Sequence, residues 1–434
     1  MKILLINPPT EEFVGYQYKS IPLGLLYLAG YLEDRGDEVK IVDMNNGQQV
    51  DDYQPDMIGI GCLFSGRFAP GLQVSIEMKE KHKGVPIVFG GIHPSLFAKE
   101  IIDNCPSIDY GVIGEGEETL YKLVHSYNLR EIDGLAYRDD GKTMVNPKTQ
   151  FINNVDDIPY PAFHLLDLDT YAFDMSDWEN PKGFPLNAPI PIITSRACPN
   201  RCTFCSMHYV HGVGYRPHSP KRVVDEIEYM YRKYDSHFFQ IMDDNMTLDK
   251  KRIIEICNEI TRRGLDIQMN AVNGVAIKTL DDEVVSALVE AGLTRMAIAI
   301  ESGSKYIRNK CMKKNLTDEQ IYKVIEVLKK YPIHLCAFFV IGYPEETHET
   351  LEQTRQMIEN ITPPVNRCHV FCVVPYYGTE LFEYCKERDL LTVPIDGLYK
   401  RDRFSVFDKG DEVFIKSDTL TKDDLLEFKK AYQT

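Results

Sequence analysis

The sequence predicts two α/β domains in succession: a doubly wound, Rossmann-like domain, then a partial (β/α)6 barrel with a small C-terminal appendage. Short apolar runs alternate with helical patterns over residues 1–125, and this alternation resumes from residue 190 to about residue 375. Such alternation is typical of parallel sheets covered by helices. Glycine-rich or acidic turns follow most predicted strands, and these sheets bind ligands there. We expect domains at residues 1–130, 189–378 and 379–434, with a linker at 131–188.

Length and charge limit the possible classes of function. The 434 residues are enough for two or three domains, and 49 basic against 65 acidic residues give a net charge of −16. This balance argues against a broad nucleic-acid surface. We see no long apolar stretch and no signal peptide, so we expect a cytoplasmic protein without a membrane span. The eleven cysteines then indicate metal-binding or buried thiols and not disulfides.

The first domain is predicted from five short apolar strands and the helical patterns between them. The strands are predicted at residues 2–7, 38–43, 57–61, 86–89 and 109–113, and two of the helices at 22–36 and 70–83. Four strand ends lead into turns, which contain Asn7-Pro8-Pro9, Ser65-Gly66, Gly90-Gly91 and Gly114-Glu115-Gly116-Glu117. Glycine at such positions lets a ligand approach the backbone closely.

The second domain is predicted from six strand–helix units. We expect strands at residues 190–194, 237–242, 266–271, 295–300, 334–341 and 367–374. In barrels of this kind the chemistry lies at the carboxyl ends of the strands. Asp243, Asn270, Glu301-Ser302 and Gly342 occupy such ends. Asp243 and Glu301 end buried strands, which favours a functional role over a helix cap.

Three cysteines follow the first strand of the second domain. Cys198, Cys202 and Cys205 have C-x-x-x-C-x-x-C spacing. Soft thiolates select iron–sulfur clusters, zinc or copper. A closed structural site needs four protein ligands, so three leave one metal position open for chemistry. The alternatives are a zinc site with a distant fourth ligand, or three unrelated buried cysteines. Cys368 and Cys372 repeat part of the spacing, and we favour core cysteines there.

The cysteine loop, with Phe204 before its last cysteine, resembles the cluster loop of the radical S-adenosylmethionine enzymes. The resemblance implies that the three cysteines bind a 4Fe-4S cluster whose open iron binds S-adenosylmethionine. It also implies an external electron donor of the flavodoxin or ferredoxin type. The implied contacts with S-adenosylmethionine are Phe204, Asp243, Asn270, Glu301, Ser302 and Gly342.

The turns of the first domain are similar to those of the cobalamin-binding domain that one class of these enzymes carries. The Asp-x-His-x-x-Gly motif of classical cobalamin domains, whose histidine binds cobalt, is absent here. A histidine in a turn is more often a hydrogen-bonding residue, so cobalt ligation by His93 is the less favoured interpretation. The implied contacts with cobalamin are Asn7, Pro8, Leu23, Gly24, Ser65, Gly66, Gly90, Gly91, His93, Gly114, Glu115, Gly116 and Glu117.

Together the two resemblances imply a cobalamin-dependent radical S-adenosylmethionine enzyme that acts on a small molecule. The commonest activity of that class is methylation of an unactivated carbon, sometimes phosphorus. The 5′-deoxyadenosyl radical abstracts hydrogen, and the methyl group comes from methylcobalamin. The main alternative is a cyclase, ring contraction or rearrangement without net methylation. A transfer-RNA methylthiotransferase is disfavoured, because the N-terminal half has only Cys62 and Cys105 for a second cluster. A non-catalytic cobalamin sensor is disfavoured because it has no use for an open iron.

Overall fold

The fold is that of a computed structural model, which describes residues 1–10, 20–63, 67–172, 180–185, 188–400 and 412–432. The chain divides into two compact units. The first comprises Met1–Tyr171, Met207–Gly212 and Pro394–Lys409, and the second comprises Ala172–Ser206, Val213–Val393 and Gly410–Thr434. Two short insertions, from the middle and the end of the chain, therefore belong to the first unit.

The first unit is built on a seven-stranded sheet with the order β2-β1-β3-β4-β5-β6-β7. The first five strands are parallel, and the hairpin β6–β7 adds to them antiparallel to β5. The strands are β1 (Lys2–Asn7), β2 (Glu38–Asp43), β3 (Met57–Gly61), β4 (Ile87–Gly90), β5 (Tyr110–Val112), β6 (Leu135–Asp139) and β7 (Lys142–Val145). The helices are α1 (Leu23–Glu33), α2 (Phe68–Lys81), α3 (Ile92–Asn104) and α4 (Glu117–Val124). The order reverses between β1 and β3, and doubly wound sheets bind ligands beyond the strands at such a switch point.

The second unit contains six parallel strands in the order β15-β14-β13-β12-β11-β8. They are β8 (Ile190–Ile192), β11 (Phe238–Ile241), β12 (Gln268–Val275), β13 (Leu293–Glu301), β14 (His334–Ile341) and β15 (Arg367–Cys372). A two-stranded ribbon of β9 (Ser195–Arg196) and β10 (Arg216–Pro217) follows β8. The short helix α5 (His208–His211) follows in the chain and belongs to the first unit. The helices of the second unit are α6 (Pro220–Tyr234), α7 (Lys250–Arg262), α8 (Asp282–Glu290), α9 (Asp318–Leu328), α10 (His348–Ile361), α11 (Glu380–Glu387) and α12 (Lys422–Lys430). Since β8 and β15 are the two edges of this sheet, the six units form a partial barrel.

Local sequence signals start the helices of the second unit. Ser219 caps α6 just before Pro220, and Asp249 and Asp281 cap α7 and α8 through their side-chain oxygens. Thr317 and Thr347 form capping boxes at the starts of α9 and α10. Each cap satisfies amide groups that the first helical turn leaves without a partner. These helices therefore start at the carboxyl edge of the sheet at fixed positions.

The architecture confirms the predicted doubly wound sheet followed by six parallel strand–helix units. One strand differs in a way that affects the site. β12 extends to Val275, with a break in its pairing to β13 between Ala271 and Val275. The prediction that Asn270 ends the third barrel strand is therefore wrong, because the polar stretch after it continues the strand. Two stretches also join units that the sequence did not assign them to. The hairpin expected in the linker extends the first sheet, and residues 394–400 of the appendage pack within the first unit.

Candidate active site

The cysteine loop lies at the carboxyl end of β8. Cys198, Cys202 and Cys205 are half-buried and free of disulfides. Ala197 has a φ of 68°, a left-handed conformation that turns the chain just before the first cysteine. The amide of Cys205 donates to the carbonyl of Cys202 at 3.1 Å, which closes the last part of the loop. Backbone strain at a non-glycine residue persists where the surroundings fix it, and such residues cluster at functional sites.

Asp243 and Arg252 fix the start of this loop. The Asp243 carboxylate accepts hydrogen bonds from the Thr194 amide and hydroxyl, both at 2.6 Å, and from the Ser195 hydroxyl at 2.5 Å. Arg252, on α7, donates to the carbonyls of Thr194 and His218. Burial raises the pKa of Asp243, although hydrogen bonds from Ser195 and Thr194 oppose this. As placed, Asp243 positions the cysteine loop, and its contact with S-adenosylmethionine stays a prediction.

A second set of bonds holds the middle of the loop. The Thr203 hydroxyl donates to the carbonyl of Cys311 at 2.8 Å and lies 3.0 Å from the Tyr343 hydroxyl. Tyr343 follows β14 and is 1% exposed. Glu346 fixes the same turn, because its carboxylate accepts from the Gly342 amide at 2.5 Å. The end of β14 therefore supports the residue next to Cys202.

Glu301 and Lys314 form an ion pair beside the cysteines. Their side-chain atoms are 2.6 Å apart, and both side chains are largely buried. Burial would lower the pKa of Lys314, but Glu301, Cys202 and Cys205 together raise it. Glu301 has a φ of 73°, and residues 313 and 315 on either side of Lys314 also have positive φ values. The Lys314 ammonium is close enough to Cys202 and Cys205 for their charges to act on it.

The donor set of the loop fits an iron–sulfur cluster. Burial raises the pKa of the Cys202 thiol, while Lys314 acts to lower it. The amide nitrogen of Asn245 lies 4.0 Å from the sulfur of Cys198. Across the described ranges, no three histidine, cysteine, aspartate or glutamate side chains are close enough to share one metal ion. A cluster does not need such convergence, because each thiolate can bind a different iron atom.

The other predicted contacts with S-adenosylmethionine are placed differently. Phe204 is half-buried within the loop. Asn270 lies low on β12, where its amide oxygen accepts from Thr294 at 3.2 Å. Ser302 is fully buried, and its carbonyl accepts from Arg308 at 2.7 Å. These contacts stay predictions, and the structure gives Asn270 and Ser302 packing roles.

In the first unit, a buried polar network lies at the switch point of the sheet. Asn7, at the end of β1, donates to Asp43 at 2.7 Å and accepts from Arg67. Tyr171 donates to the other oxygen of Asp43 at 2.6 Å. Burial raises the pKa of Asp43, while the bonds from Tyr171 and Asn7 lower it. Asn7 therefore lies at the edge of the sheet where we predict that cobalamin binds, and its side chain is hydrogen-bonded to Asp43 and Arg67.

The glycine turns after β4 and β5 are joined by Ser95. Its hydroxyl donates to the Gly91 carbonyl at 2.7 Å and accepts from the Gly114 amide at 2.9 Å. Gly91 has a φ of 121°, and a side chain there would begin 2.4 Å from the Cys62 carbonyl oxygen. Only glycine fits that position. Two of the turns predicted to contact cobalamin are therefore linked to each other through the Ser95 hydroxyl.

Acidic residues of the last turn are buried beside α5. Glu115 and Glu117 are 6% and 5% exposed. An oxygen of Glu115 lies 3.3 Å from Nδ1 of His211, on the short helix that follows the cysteine loop. The pKa of Lys148 is lowered mainly by burial, against Asp133 and Glu115. This turn therefore contacts a segment that is close to Cys205 in sequence.

The remaining predicted cobalamin contacts divide by exposure. His93 is 1% exposed, its Nε2 donates to the Tyr399 carbonyl at 2.9 Å, and it packs between Phe68 and Phe97. Burial lowers its pKa to about 4. The ring packs in the first turn of α3 and presents no open face to a ligand. Gly24 is exposed, and no atom of the described residues lies within 4 Å of the place of a side chain there, so its backbone is open to a ligand. Pro8 and Leu23 are buried, Gly90 and Gly116 are half-buried, and Ser65 and Gly66 lie outside the described residues.

Comparison with known proteins agrees with both halves of the chain. The family model for the radical SAM superfamily matches residues 192–358, and the model for the B12 binding domain matches residues 14–124. An uncharacterized methyltransferase of Pyrococcus horikoshii is 33% identical over 405 residues, which cover 90% of this chain and 84% of the relative. The anaerobic magnesium-protoporphyrin IX monomethyl ester cyclase of Rubrivivax gelatinosus is 28% identical, over 88% of this chain and 70% of the relative.

A solved structure has the same fold. The radical S-adenosylmethionine methyltransferase TsrM from Kitasatospora setae, with cobalamin and a 4Fe-4S cluster bound, superimposes with a TM-score of 0.71 at 18% identity. The match covers 91% of this chain and 76% of that one. No helix in the described part of this chain is long and apolar enough to cross a membrane. The chain is an enzyme whose cofactors are S-adenosylmethionine, a 4Fe-4S cluster and cobalamin. From its cysteine loop, its two α/β units and these relatives, the protein belongs to the cobalamin-dependent radical S-adenosylmethionine enzymes.

Proposed function

We propose that this enzyme transfers a methyl group to an unactivated carbon, or to phosphorus, of a small molecule. One observation carries most of the proposal. The three-cysteine loop and the Glu301–Lys314 pair meet at the carboxyl edge of one parallel sheet, in a chain that also has a cobalamin-binding domain. When bound, the cluster and S-adenosylmethionine supply a hydrogen-abstracting radical, and cobalamin supplies the methyl group.

The residues of the second unit bind and orient. Cys198, Cys202 and Cys205 hold the cluster through their thiolates. The methionine end of S-adenosylmethionine carries one ammonium and one carboxylate. Glu301 and Lys314 offer the complementary pair of charges, 2.6 Å apart and largely buried. In a site shielded from water such charge-assisted hydrogen bonds are strong.

The residues of the first unit hold cobalamin at the carboxyl edge of its sheet. The exposed backbone at Gly24 and the joined turns at Gly91 and Gly114 give close approach without side-chain obstruction. Ser65 and Gly66 remain part of this prediction. The network around Asp43 fixes Asn7 at the switch point. His93 contributes by packing and does not bind cobalt.

An external donor of the flavodoxin or ferredoxin type supplies the electrons, in a reducing compartment such as the cytoplasm. A chain with half-buried thiols and no disulfide among its cysteines suits such a compartment. A cyclase or rearrangement without net methylation is the second candidate, because a cyclase is 28% identical over 88% of the chain. Methyl transfer is preferred, because the methyltransferase relative is 33% identical over 90%.

The test follows the methyl group of S-adenosylmethionine. Anaerobically reconstituted enzyme with bound cobalamin is incubated with a metabolite extract, a reductant and S-adenosylmethionine labelled with deuterium in the methyl group. Methyl transfer predicts a labelled product, with S-adenosylhomocysteine and 5′-deoxyadenosine formed in equal amounts. A cyclase gives 5′-deoxyadenosine, no labelled product and no S-adenosylhomocysteine. The Cys202→Ala variant is the control and should form neither 5′-deoxyadenosine nor a labelled product.

A further inference from the structure

The inner face of the partial barrel carries a row of aromatic side chains. Alternation along β15 places Arg367, His369 and Phe371 on the face opposite Cys368 and Cys372. Lys429 and Tyr432, at the end of α12, act on Cys372 and Cys368 electrostatically, so the cysteine face is the one that helices cover. The other face is therefore the inner one.

Three rings form this row, which we call the aromatic ladder: Phe338, His369 and Phe371. The Phe338 ring lies 5.7 Å from His369 and 5.9 Å from Phe371, both edge to face. The rings of His369 and Phe371 are nearly parallel, at 10° and 6.3 Å. All three side chains are half-buried, whereas a core aromatic residue is fully buried. Gly274, on β12, has no side chain where it faces Phe338, so the inner face of β12 leaves space beside that ring.

Basic groups lie below the ladder, toward the amino ends of the strands. Arg295 pairs with His334 in the register of β13 and β14, and Arg367 pairs with Cys336 in that of β14 and β15. Burial, together with the charges of Arg367, Arg295 and His334, lowers the pKa of His369 to about 4. Within the part of the chain that the structure describes, the charges that act on His369 are therefore positive, although the chain as a whole is acidic.

The register fixes the order of these features along the barrel. Arg295 and Glu301 lie on the same strand, six residues apart, which is roughly 20 Å at about 3.3 Å per residue. Phe338 and His369 of the aromatic ladder occupy an intermediate row, because Phe338 pairs with Ala299 and His369. Phe371 pairs with Val340, one position beyond Phe339, the partner of Glu301. The cysteine loop and the Glu301–Lys314 pair lie at the upper end. A ligand along this face touches cations at one end, rings in the middle and the radical site at the other.

We propose that the substrate is a planar, unsaturated molecule with an anionic group, a carboxylate or a phosphate, at the end remote from the reacting atom. This inference rests on the proposed function and specifies the substrate class of the same site. The anionic group binds at Arg295 and Arg367, and the planar part packs against the aromatic ladder. Offset and edge-to-face contacts favour flat, unsaturated partners over saturated ones of equal size.

The test measures binding without turnover, on full-length reconstituted enzyme under anaerobic conditions. The probes are 2-naphthoate, its neutral amide and saturated decahydronaphthalene-2-carboxylate. We expect 2-naphthoate to bind at least about threefold more tightly than either of the others, on the scale of a ring contact or a charged hydrogen bond. Equal affinity for all three, or no binding of 2-naphthoate, overturns the proposal.

Variants then test which residues contact the planar part of the probe and which contact its anionic group. Phe371→Leu should weaken the naphthoate and the amide alike, by about three- to tenfold. Arg295→Gln should weaken the naphthoate and leave the amide unchanged. Phe338→Leu repeats the ring test if Phe371→Leu unfolds, and Tyr229→Leu, at an exposed tyrosine of α6, is the matched control. Binding that is unaffected by all three inner-face variants overturns the proposal. Failure of the labelled-methyl assay does not bear on these affinities, so the two hypotheses fail separately.

Discussion

Asp243 offers the sharpest test of how the cysteine loop is held. Its carboxylate is the acceptor for three donors, the Thr194 amide and the hydroxyls of Thr194 and Ser195. Asp243→Ala leaves all three without this acceptor in a buried site and opens a small cavity. An unsatisfied buried amide costs about 1–3 kcal/mol and each hydroxyl bond about 0.5–1.5 kcal/mol. We therefore expect the free energy of unfolding to fall by about 2–6 kcal/mol.

Asp243→Asn should cost much less, about 1 kcal/mol. The amide oxygen keeps the bond from the Thr194 backbone, and the two hydroxyls can rotate to accept from the new NH₂ group. Anaerobic guanidinium unfolding of the apo-protein measures both values, and iron content after reconstitution reports on the loop. Asp266→Ala, at an exposed carboxylate paired with Lys182, is the matched control and should change little.

The same two variants separate positioning from cofactor binding. If Asp243 holds the loop, Asn keeps both iron content and affinity for S-adenosylmethionine. If it binds S-adenosylmethionine directly, Asn loses that affinity while stability is preserved. A loss below 1 kcal/mol for Asp243→Ala, with normal iron content, would refute the reasoning from these hydrogen bonds.

Three further predictions concern the supports around the loop. Burial raises the pKa of Glu346 from 4.5 to about 7, and burial does the same for Glu226. The folded state therefore holds protons that the unfolded chain has released. The stability from each group is complete below pH 4.5 and is lost as pH rises through 7. The free energy of unfolding should therefore fall between about pH 5 and 7 by up to about 1.4 kcal/mol per unit for each group, and should level off above pH 7. Glu346→Gln should remove its share of that slope, and an unchanged slope would contradict the assignment. Gly303→Ala should lower the free energy of unfolding by about 1–3 kcal/mol, because its new carbon would lie 2.4 Å from a carbonyl oxygen of α10; an unchanged melting temperature would show that the helix yields. Tyr343→Phe removes the partner 3.0 Å from Thr203 and should shift the midpoint potential or the EPR spectrum of the reduced cluster while iron content stays constant; identical spectra would limit Tyr343 to packing.

Periodicity predicted most of the fold because each strand is a short, buried apolar run. The prediction for residues 334–341 coincides with β14, whose residues are all buried except His334 and Phe338. The polar second half of β12 could not be predicted in this way. Asn273 and Gly274 look like a turn in sequence, but they lie within a break in pairing, and the strand continues across it to Val275. For that reason the sequence predicts Asn270 at a strand end, whereas it lies in the first half of β12.

Spacing along the chain predicted the cysteine loop, but not its supports. Arg252 lies on an amphipathic helix, where an arginine usually faces solvent, and it bonds to Thr194 from 58 positions away. Tyr343 and Thr203 are 140 positions apart. Lys314 lies between two residues with positive φ values, and nothing in its local sequence indicates an inward direction. Such contacts depend on the tertiary fold, so one sequence cannot reveal them.

These supports change how the acidic residues at the barrel strand ends should be interpreted. Asp243 and Glu346 each accept backbone amides and hold a turn, so their hydrogen-bonding capacity serves the protein itself. Glu301 differs from both. Its φ of 73° is a strained conformation, which costs on the order of 1–3 kcal/mol and persists only where the surroundings impose it. Its bond to Lys314 joins two side chains that a zwitterionic ligand could separate and satisfy. Of the three carboxylates, Glu301 is therefore the one whose placement fits a ligand. Asp243 and Glu346 instead hold the turns that position the cysteine loop.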